Sequence, residues 1–307
     1  MSGKFRLITR SDFDGLVCAV LLKYLDMIDE IKFVHPKDMQ DGLVEVTEND
    51  ITTNLPYVEG VYIAFDHHLS ETIRNEKIME NHIIDGSAPS AARVVYDYYG
   101  GEGRFPKDWN DMLKAVDKAD SAMFTMEDIL NPSGWELLSF IMDARTGLGR
   151  FRDFRISNYD LMMELIEFCK THSIEEILRL PDVRERIELY MNYEEKFNSQ
   201  IKKNSKVYNN VLVVDLQNVD QIWPGNRFIK YALFPETNIS IQIIWGLRKE
   251  KTVLTVGKSI VNRTSNVNIG ELMLKYGGGG HANAGTCQIE NDKVAEYLIQ
   301  IIEKLQE

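Results

Sequence analysis

The chain has 307 residues, of which 44% are apolar and 27% charged, and its formal net charge at pH 7 is −12. This composition is that of an ordinary globular protein, and the length favours two domains over one. The acidic balance argues against a protein that follows long nucleic acid duplexes, because such surfaces need basic residues to neutralise the phosphates. Any nucleic acid ligand is therefore expected to be short.

Sequence features that report on location predict a cytoplasmic protein without a membrane partner. No apolar run approaches the roughly 18–20 residues that span a bilayer, and the first five residues lack the apolar core of a signal peptide. Cys18, Cys169 and Cys287 lie far apart and match no zinc or disulfide spacing. We interpret them as unpaired thiols in a reducing compartment.

The first half of the chain alternates short apolar runs with helical patterns, which is typical of a parallel α/β sheet. We predict strands at residues 5–9, 31–34, 43–46, 61–65 and 82–84, of which the third has the weakest pattern. Helices are predicted at residues 15–25 and from residue 87 through residue 98.

The second half of the chain begins with helices and returns to strands. Residues 109–205 read as helical, and residues 184–204 carry an apolar stripe suited to a connecting helix. Strands follow at residues 211–214, 239–245, 252–258 and 286–289, with helices at 269–276 and from 293. We therefore predict an α/β fold with an N-terminal parallel-sheet domain (1–183), a connecting helix (184–204) and a smaller C-terminal α/β domain (205–307).

The sharpest local feature is the triplet Asp66-His67-His68, which directly follows the fourth predicted strand. Ligands of open α/β sheets bind at the carboxyl ends of the strands. Imidazole can ligate a divalent ion there, and a neighbouring carboxylate can orient the ring. A surface loop that merely contains two histidines is the alternative, but such clustering of ligand-type residues favours a metal and anion site.

A second acidic feature, Asp12-Phe13-Asp14-Gly15, follows the first predicted strand. Two carboxylates separated by one residue can converge on a hard cation where the chain turns, and glycine permits the turn. The same pattern also occurs in plain turns and helix caps. Its position at a strand's carboxyl end, like that of the His pair, favours the metal site.

A run of four glycines, Gly277 to Gly280, precedes His281 and a series of small residues. The run could be a flexible linker or an extended helix cap. Because structured elements flank it, we favour a loop whose backbone amides approach a phosphate closely, with the histidine beside it.

Taken in this order along the chain, the Asp-x-Asp turn, the Asp-His-His triplet and the glycine run with its histidine resemble the DHH phosphoesterase superfamily. The C-terminal half is similar to the DHH-associated domain of RecJ-like exonucleases, nanoRNA and 3′-phosphoadenosine-5′-phosphate phosphatases, and exopolyphosphatase-related proteins. Residues from about 5 to 289 take part in the resemblance, although residues 140–205 contribute little.

The resemblance implies a metal-dependent catalytic domain, a substrate-binding domain and an active site in the cleft between them. The cofactor would be one or two divalent ions, most often Mn²⁺, with Mg²⁺ as the alternative. By position, the metal ligands would be Asp12, Asp14, Asp50, His67 and Asp120, with Asp117 as the fallback for Asp120.

The remaining site residues are also implied by the resemblance. Asp66 would orient the imidazole, and His68 and Arg10 would contact the phosphoryl oxygens. Substrate-binding residues in the second domain would be Arg263, Gly278, Gly279, Gly280 and His281.

Arg10 departs from the family pattern, which usually has a histidine two residues before the first aspartate. A guanidinium stays protonated and offers no lone pair to a metal. Either the site holds one ion and Arg10 supplies the other positive charge, or a weaker ion binds only with substrate. Arg10 could also simply pair with a nearby carboxylate.

The implied function is hydrolysis of the phosphate ester bonds of a short oligonucleotide or nucleoside bisphosphate. Exopolyphosphatase or cyclic-dinucleotide phosphodiesterase activity is an alternative, and a catalytically quiet nucleotide-binding or sensor protein is an alternative of another class. Expected partners are nucleotides, short single-stranded oligonucleotides or polyphosphate. The oligomeric state is left open, a homodimer included.

Overall fold

The computed structural model describes residues 3–68, 79–151 and 153–306, and the chain divides into two compact units. The first unit contains Met1–Met123 and Pro132–Glu188, and the second contains Phe124–Asn131 and Leu189–Glu307. The division after residue 188 falls within the predicted connecting helix. The short segment 124–131 belongs to the second unit, however, and not to the first as the sequence suggested.

The sheet of the first unit is parallel throughout and has the strand order β2-β1-β3-β4-β5. Its strands are β1 (Phe5–Arg10), β2 (Ile28–Val34), β3 (Asp50–Thr53), β4 (Ile63–Asp66) and β5 (His82–Ile84). Because the strands are parallel, their carboxyl ends share one edge of the sheet. The polar residues that follow β1, β3 and β4 therefore lie at the same edge.

The third strand differs from the prediction. The expected strand at residues 43–46 is absent from the described sheet, and Asp50–Thr53 takes its place. Val44 and Val46 instead pack on a small apolar cluster formed by Ile8 of β1, Met39 and Leu55. All four residues of β3 are buried, and its Ile and Thr side chains are β-branched, which suits a buried strand.

The helices of the first unit surround this sheet. They are α1 (Phe13–Tyr24), α2 (Pro36–Gln40), α3 (Ala91–Tyr98), α4 (Asn110–Asp120), α6 (Gly134–Met142), α7 (Asn158–Thr171) and α8 (Ile174–Ile177), whereas α5 (Met126–Leu130) lies in the second unit. Helix α9 (Pro181–Lys203) runs from the first unit into the second. Two short 3-10 turns, Ala144–Thr146 and Leu148–Arg150, lie between α6 and α7.

The second unit is built on a mixed sheet with the order β10-β11-β9-β8-β7-β6. Its strands are β6 (Ser205–Tyr208), β7 (Val211–Asp215), β8 (Ile239–Trp245), β9 (Lys251–Lys258), β10 (Gly279–His281) and β11 (Ala284–Glu290). Strands β7 and β8 are parallel and the other neighbours antiparallel. The unit also contains α10 (Ile229–Leu233), α11 (Ile269–Leu274) and α12 (Val294–Leu305). Apolar side chains from the last two helices and the sheet form its core.

The structure also shows whether any helix could span a membrane and whether the cysteines are paired. Among the described residues, no helix combines the length and the apolarity that crossing a membrane requires. Cys18, Cys169 and Cys287 are buried free thiols.

Candidate metal centre and active site

The two aspartates after β1 are held by the starts of two helices. Asp12 is the N-cap of α1, where its side chain accepts a hydrogen bond from the Gly15 amide at 3.0 Å. Asp14 is buried, and its two oxygens accept hydrogen bonds from the amides of Ala91 and Ala92 at 3.0 and 2.8 Å, at the start of α3. Asp14 is therefore held in one orientation at the carboxyl edge of the sheet.

The triplet after β4 is organised by its buried aspartate. Asp66 Oδ1 accepts the amide hydrogens of His67 and His68 at 2.8 and 3.2 Å and lies 2.7 Å from His68 Nδ1. The ring of His67 has a different partner, because its Nδ1 lies 3.3 Å from the carbonyl oxygen of Ala88. Asp66 therefore orients the imidazole of His68, and the carbonyl of Ala88 orients that of His67.

The third part of the site comes from the end of α4. Asp120 Oδ2 lies 2.8 Å from His67 Nε2. Asp117, one helical turn earlier, is engaged elsewhere: it accepts hydrogen bonds from Ser90 Oγ at 2.7 Å and from Arg93 Nη2 at 2.5 Å. The structure therefore brings Asp120, and not the fallback Asp117, to the His67 ring.

Asp14, His67 and Asp120 together form a candidate metal centre, since each offers one ligand atom and these atoms lie within 4.8 Å of one another. Nε2 of His67 is buried and makes no well-aligned hydrogen bond among the described residues, despite its closeness to Asp120. A buried imidazole nitrogen 2.8 Å from a carboxylate oxygen, without a well-aligned hydrogen bond in the described part of the chain, fits two atoms that would share one ion. Carboxylate oxygens with an imidazole are ligands that fit a divalent ion.

The pKa values of these three residues reflect a buried excess of negative charge. Burial and the charge of Asp120 raise the pKa of Asp14 well above its ordinary value. Burial lowers the pKa of His67, but the close contact with Asp120 and its charge, together with the charge of Asp14, raise it to about 9. Burial raises the pKa of Asp120, but the contact with His67 brings it below its ordinary value. Such a set of coupled groups is typical of a site that a cation completes.

Comparison with known proteins identifies the family. No protein-family model matches the chain, and no curated protein does. Among solved structures, the pGpG-specific phosphodiesterase PggH from Vibrio cholerae is 56% identical in sequence, with 99% of each chain covered and a TM-score of 0.88. The chain belongs to the DHH phosphoesterases. It is a hydrolytic enzyme.

A second solved structure supports the fold alone. The exopolyphosphatase-related protein from Bacteroides fragilis is 15% identical to this DHH phosphoesterase, with a TM-score of 0.55. The match covers 99% of this chain and 94% of that chain. The α/β architecture predicted from the sequence is thereby confirmed.

The structure does not bring Asp50 to the candidate metal centre of this DHH phosphoesterase, contrary to the prediction. Asp50 begins β3 and is paired in register with Arg6, whose Nε lies 2.6 Å from Asp50 Oδ1. The amide of Thr47 also donates to Asp50, at 2.6 Å. Three residues of strand, about 10 Å, separate Asp50 from the carboxyl end of β3. Its side chain therefore lies near the amino ends of the strands, away from the candidate metal centre at their carboxyl ends.

Asn54, which the sequence reasoning missed, occupies the carboxyl end of β3. It is buried, has a left-handed φ of 55°, and donates from Nδ2 to Asp12 Oδ1 at 3.3 Å. Its Oδ1 is buried without a hydrogen-bond partner among the described residues. The signal that could have found Asn54 is its position directly after the true third strand.

Arg10 pairs with the first aspartate of the DHH phosphoesterase, one of the three readings left open by the sequence. Its Nε lies 2.9 Å from Asp12 Oδ2, and about a third of its side chain is exposed, at 36%. Asp12 thus contacts Arg10, Asn54 and the Gly15 amide. It is not among the three residues whose ligand atoms converge.

The glycine run of the second unit is an ordered hairpin, which excludes the linker reading. Strand β10 (Gly279–His281) pairs with β11, and Ala282 and Asn283 make the turn. A Cβ on Gly278 would lie 2.1 Å from the Thr286 carbonyl oxygen, and one on Gly280 would lie 2.3 Å from that of Ala284. These glycines are required because the backbone packs closely within the hairpin.

The predicted substrate-binding residues of the second unit lie in β10, directly before it, or in the segment after β9. Strand β10 is at the edge of the sheet, so no strand from the described part of the chain pairs with one row of its backbone groups. Gly279 has open space where a Cβ would stand. Arg263, in the segment after β9, and His281 are both exposed.

Proposed function

We propose that this DHH phosphoesterase hydrolyses the phosphodiester bond of a short linear diribonucleotide such as pGpG, using a divalent ion. One observation carries the proposal: Asp14, His67 and Asp120 converge in a chain that is 56% identical to a pGpG-specific phosphodiesterase. Water would be added across the bond, so that each pGpG gives two GMP molecules.

The ligand set favours Mn²⁺, with Mg²⁺ as the alternative. Carboxylates suit both ions, whereas imidazole is a ligand preferred by transition metals. Asp14, His67 and Asp120 would hold the ion. A divalent ion in this position supplies positive charge that lowers the pKa of water and offsets the charge on phosphoryl oxygens. The two amide hydrogen bonds to Asp14 and the Ala88 contact of His67 keep these ligands in place.

His68 and Arg10 are the residues of the first unit that would act on the phosphate. The buried Asp66 carboxylate lies against Nδ1 of His68 and accepts its hydrogen, so that only the imidazolium form of the ring would donate from Nε2–H to a phosphoryl or leaving oxygen. Arg10, whose Nε holds Asp12, has further guanidinium donors for a phosphoryl oxygen.

The surroundings of Asp12 support a site with one ion. Arg10 and Asn54 Nδ2 contact the two oxygens of Asp12, and neither the guanidinium nor the amide nitrogen has a lone pair to offer a second ion. The guanidinium would supply the second positive charge of the site. We therefore propose one ion per site, Mn²⁺, together with this role of Arg10.

Residues of the second unit would hold the rest of the substrate. Arg263 and His281 are exposed and carry side chains that contact phosphate readily. The edge strand that contains Gly279 and Gly280 would offer backbone groups to a phosphate, whereas the amide of Gly278 already donates to the Met273 carbonyl oxygen at 3.0 Å. The buried free thiols fit a reducing compartment, so the proposed location is cytoplasmic.

The test is a comparison of substrates with the manganese-loaded protein. Released product is measured by anion-exchange chromatography for pGpG, pApA, cyclic di-GMP, polyphosphate and phosphoadenosine phosphate. We expect pGpG to be converted to GMP at the highest kcat/KM. Turnover of polyphosphate or of cyclic di-GMP alone would contradict the proposal.

The same experiment separates an enzyme from a sensor. An enzyme that depends on the ion loses turnover in EDTA and recovers it when Mn²⁺ is restored. A sensor would bind pGpG equally well in EDTA and release no GMP under any condition.

A further inference from the structure

A cavity of about 140 Å³ opens in the first unit next to the residues that follow β1. Ser11, the residue before Asp12, is part of its lining. A closed cavity of about this size binds benzene, and this one opens to the surface beside the exposed residues Gly149 and Asn158, which leaves room for a base with two fused rings. Most of the wall consists of apolar side chains from α6, α7 and the turn after α6: Ile141, Met142, Leu148, Leu161, Met162 and Leu165.

A buried arginine sets the orientation of one polar side chain in the wall. Arg186, which is 2% exposed, donates from Nε to Asn158 Oδ1 at 3.0 Å. Its two terminal nitrogens donate to the carbonyl oxygens of Asp182 and Ile156, each at 2.8 Å. Because Asn158 Oδ1 faces this guanidinium, its Nδ2 is presented as a donor. Nδ2 lies 3.6 Å from the place where a Cβ on Gly149, another wall residue, would stand.

The wall also contains a carboxylate close to the catalytic edge. Asp143 Oδ1 accepts hydrogen bonds from the amide and Nε of Arg145 at 2.9 and 2.7 Å. Ser11, the neighbour of Asp12, lines the same cavity. An aromatic ring in the cavity would therefore lie beside the residues that follow β1.

We propose that this cavity, here named the base pocket, binds one guanine of the dinucleotide, and that Asn158 determines the preference for guanine over adenine. The inference rests on the proposed function. Guanine carries the acceptors O6 and N7, whereas adenine carries the N6 amine, a donor, in place of O6. The Nδ2 donor of Asn158 suits O6 and N7, and the carboxylate of Asp143 suits the N1–H and N2 amine of guanine.

Adenine is disfavoured in the same pocket because its N6 amine would face the amide donor of Asn158. A site built to hydrogen-bond one edge of a ligand rejects an analogue that leaves its polar groups unpaired. The apolar wall accepts the ring of either base, so the discrimination comes from the polar residues.

The main test is Asn158→Asp with Asn110→Asp as the matched control. Both residues are the first of a helix, α7 and α4 respectively, and both changes exchange an amide for a carboxylate of the same shape. Asp at 158 keeps an acceptor for Arg186 but replaces the donor. We expect the ratio of kcat/KM for pGpG to that for pApA to fall about tenfold or more in N158D and to stay unchanged in N110D.

A second variant, Gly149→Leu, keeps the pocket testable if N158D folds poorly. A Cβ at Gly149 meets only Asn158 Nδ2, at an ordinary contact distance, and φ is not positive. The larger side chain should fill the pocket. We expect KM for pGpG to rise about tenfold while kcat changes less than about threefold, since the metal ligands are untouched.

Equilibrium binding of GMP and AMP in EDTA separates the pocket from the chemistry. We expect wild type to bind GMP more tightly than AMP, N158D to lose that difference and G149L to bind GMP more weakly. Unchanged GMP and AMP affinities in both variants would overturn the base pocket, even if pGpG is hydrolysed. If the affinities change as expected but wild type hydrolyses no dinucleotide, the pocket stands and the proposed function fails.

Discussion

Arg10 Nε lies 2.9 Å from Asp12 Oδ2, so a fixed cation stands beside the first aspartate of this DHH phosphoesterase. Asn54 donates to the other oxygen of the same carboxylate. Asp12 is thus engaged by Arg10 and Asn54. Among the described residues, the ligand atoms that converge are those of Asp14, His67 and Asp120.

The first prediction is the number of bound ions. We expect wild type to bind one Mn²⁺ per chain, because a guanidinium cannot ligate a metal. The double variant R10H/N54D supplies an imidazole and a carboxylate beside Asp12 and should bind a second ion. Isothermal titration calorimetry with Mn²⁺ measures both numbers. R10K keeps the positive charge and is the control that should still bind one ion; two ions in wild type would refute the assignment.

The second prediction contrasts two aspartates of the first unit. Asp120→Asn should remove Mn²⁺ binding and lower kcat/KM about a thousandfold or more, since it removes a ligand. Asp50→Asn is the control: it breaks the pair with Arg6 and should lower the free energy of unfolding by about 1–3 kcal/mol. The activity per folded molecule of D50N should stay unchanged. Loss of ion binding in D50N would restore Asp50 as a ligand.

The third prediction concerns pH. The pKa of His67 is raised to about 9, so the metal-free protein holds this ring protonated at neutral pH. An ion needs the neutral ring, and its apparent affinity should therefore rise with pH, by up to about tenfold per pH unit, and level off near pH 9. Mn²⁺ titrations at several pH values measure this slope.

The stability of the metal-free protein should change in the opposite direction. A folded-state pKa above the unfolded value contributes stability below the unfolded pKa of about 6.5, and this contribution is lost as pH rises through about 9. H67Q should lack it. The same pH dependence in wild type and H67Q would show that another group is responsible.

The fourth prediction tests why the hairpin needs glycine. Gly278→Ala places a Cβ 2.1 Å from the Thr286 carbonyl oxygen, whereas Gly279→Ala meets no atom within 4 Å. G278A should lower the free energy of unfolding by about 1–3 kcal/mol, and G279A by less than about 0.5 kcal/mol. Urea denaturation measures both. Equal effects of the two changes would contradict the packing of β10 on β11.

The order of strands and helices in the first unit, and the chemistry at its edge, could be predicted from local sequence. The runs that became β1, β4 and β5 were each found within about two residues of their observed bounds. Because parallel strands have their carboxyl ends at one edge of the sheet, the sequence predicts that Asp14 and His67 lie close together.

The third strand could not be placed in this way, and the Asp50 prediction failed with it. Residues 43–46 and 50–53 both carry apolar or β-branched side chains, and only packing decides which of them joins the sheet. In the fold, Val44 and Val46 pack on the cluster of Ile8, Met39 and Leu55, and β3 pairs Asp50 with Arg6. A shift of a few residues moved the expected ligand to the wrong edge of the sheet.

The sequence by itself determined the class of fold, the family and the residue types that gather at the strand ends, because local periodicity and short spacings carry that information. The tertiary structure decided which aspartate of α4 faces His67, which imidazole Asp66 orients and that Arg10 pairs with Asp12. Those choices depend on the rotation of a helix and the register of strands. Both are set by contacts between residues far apart in the chain, which no local pattern records.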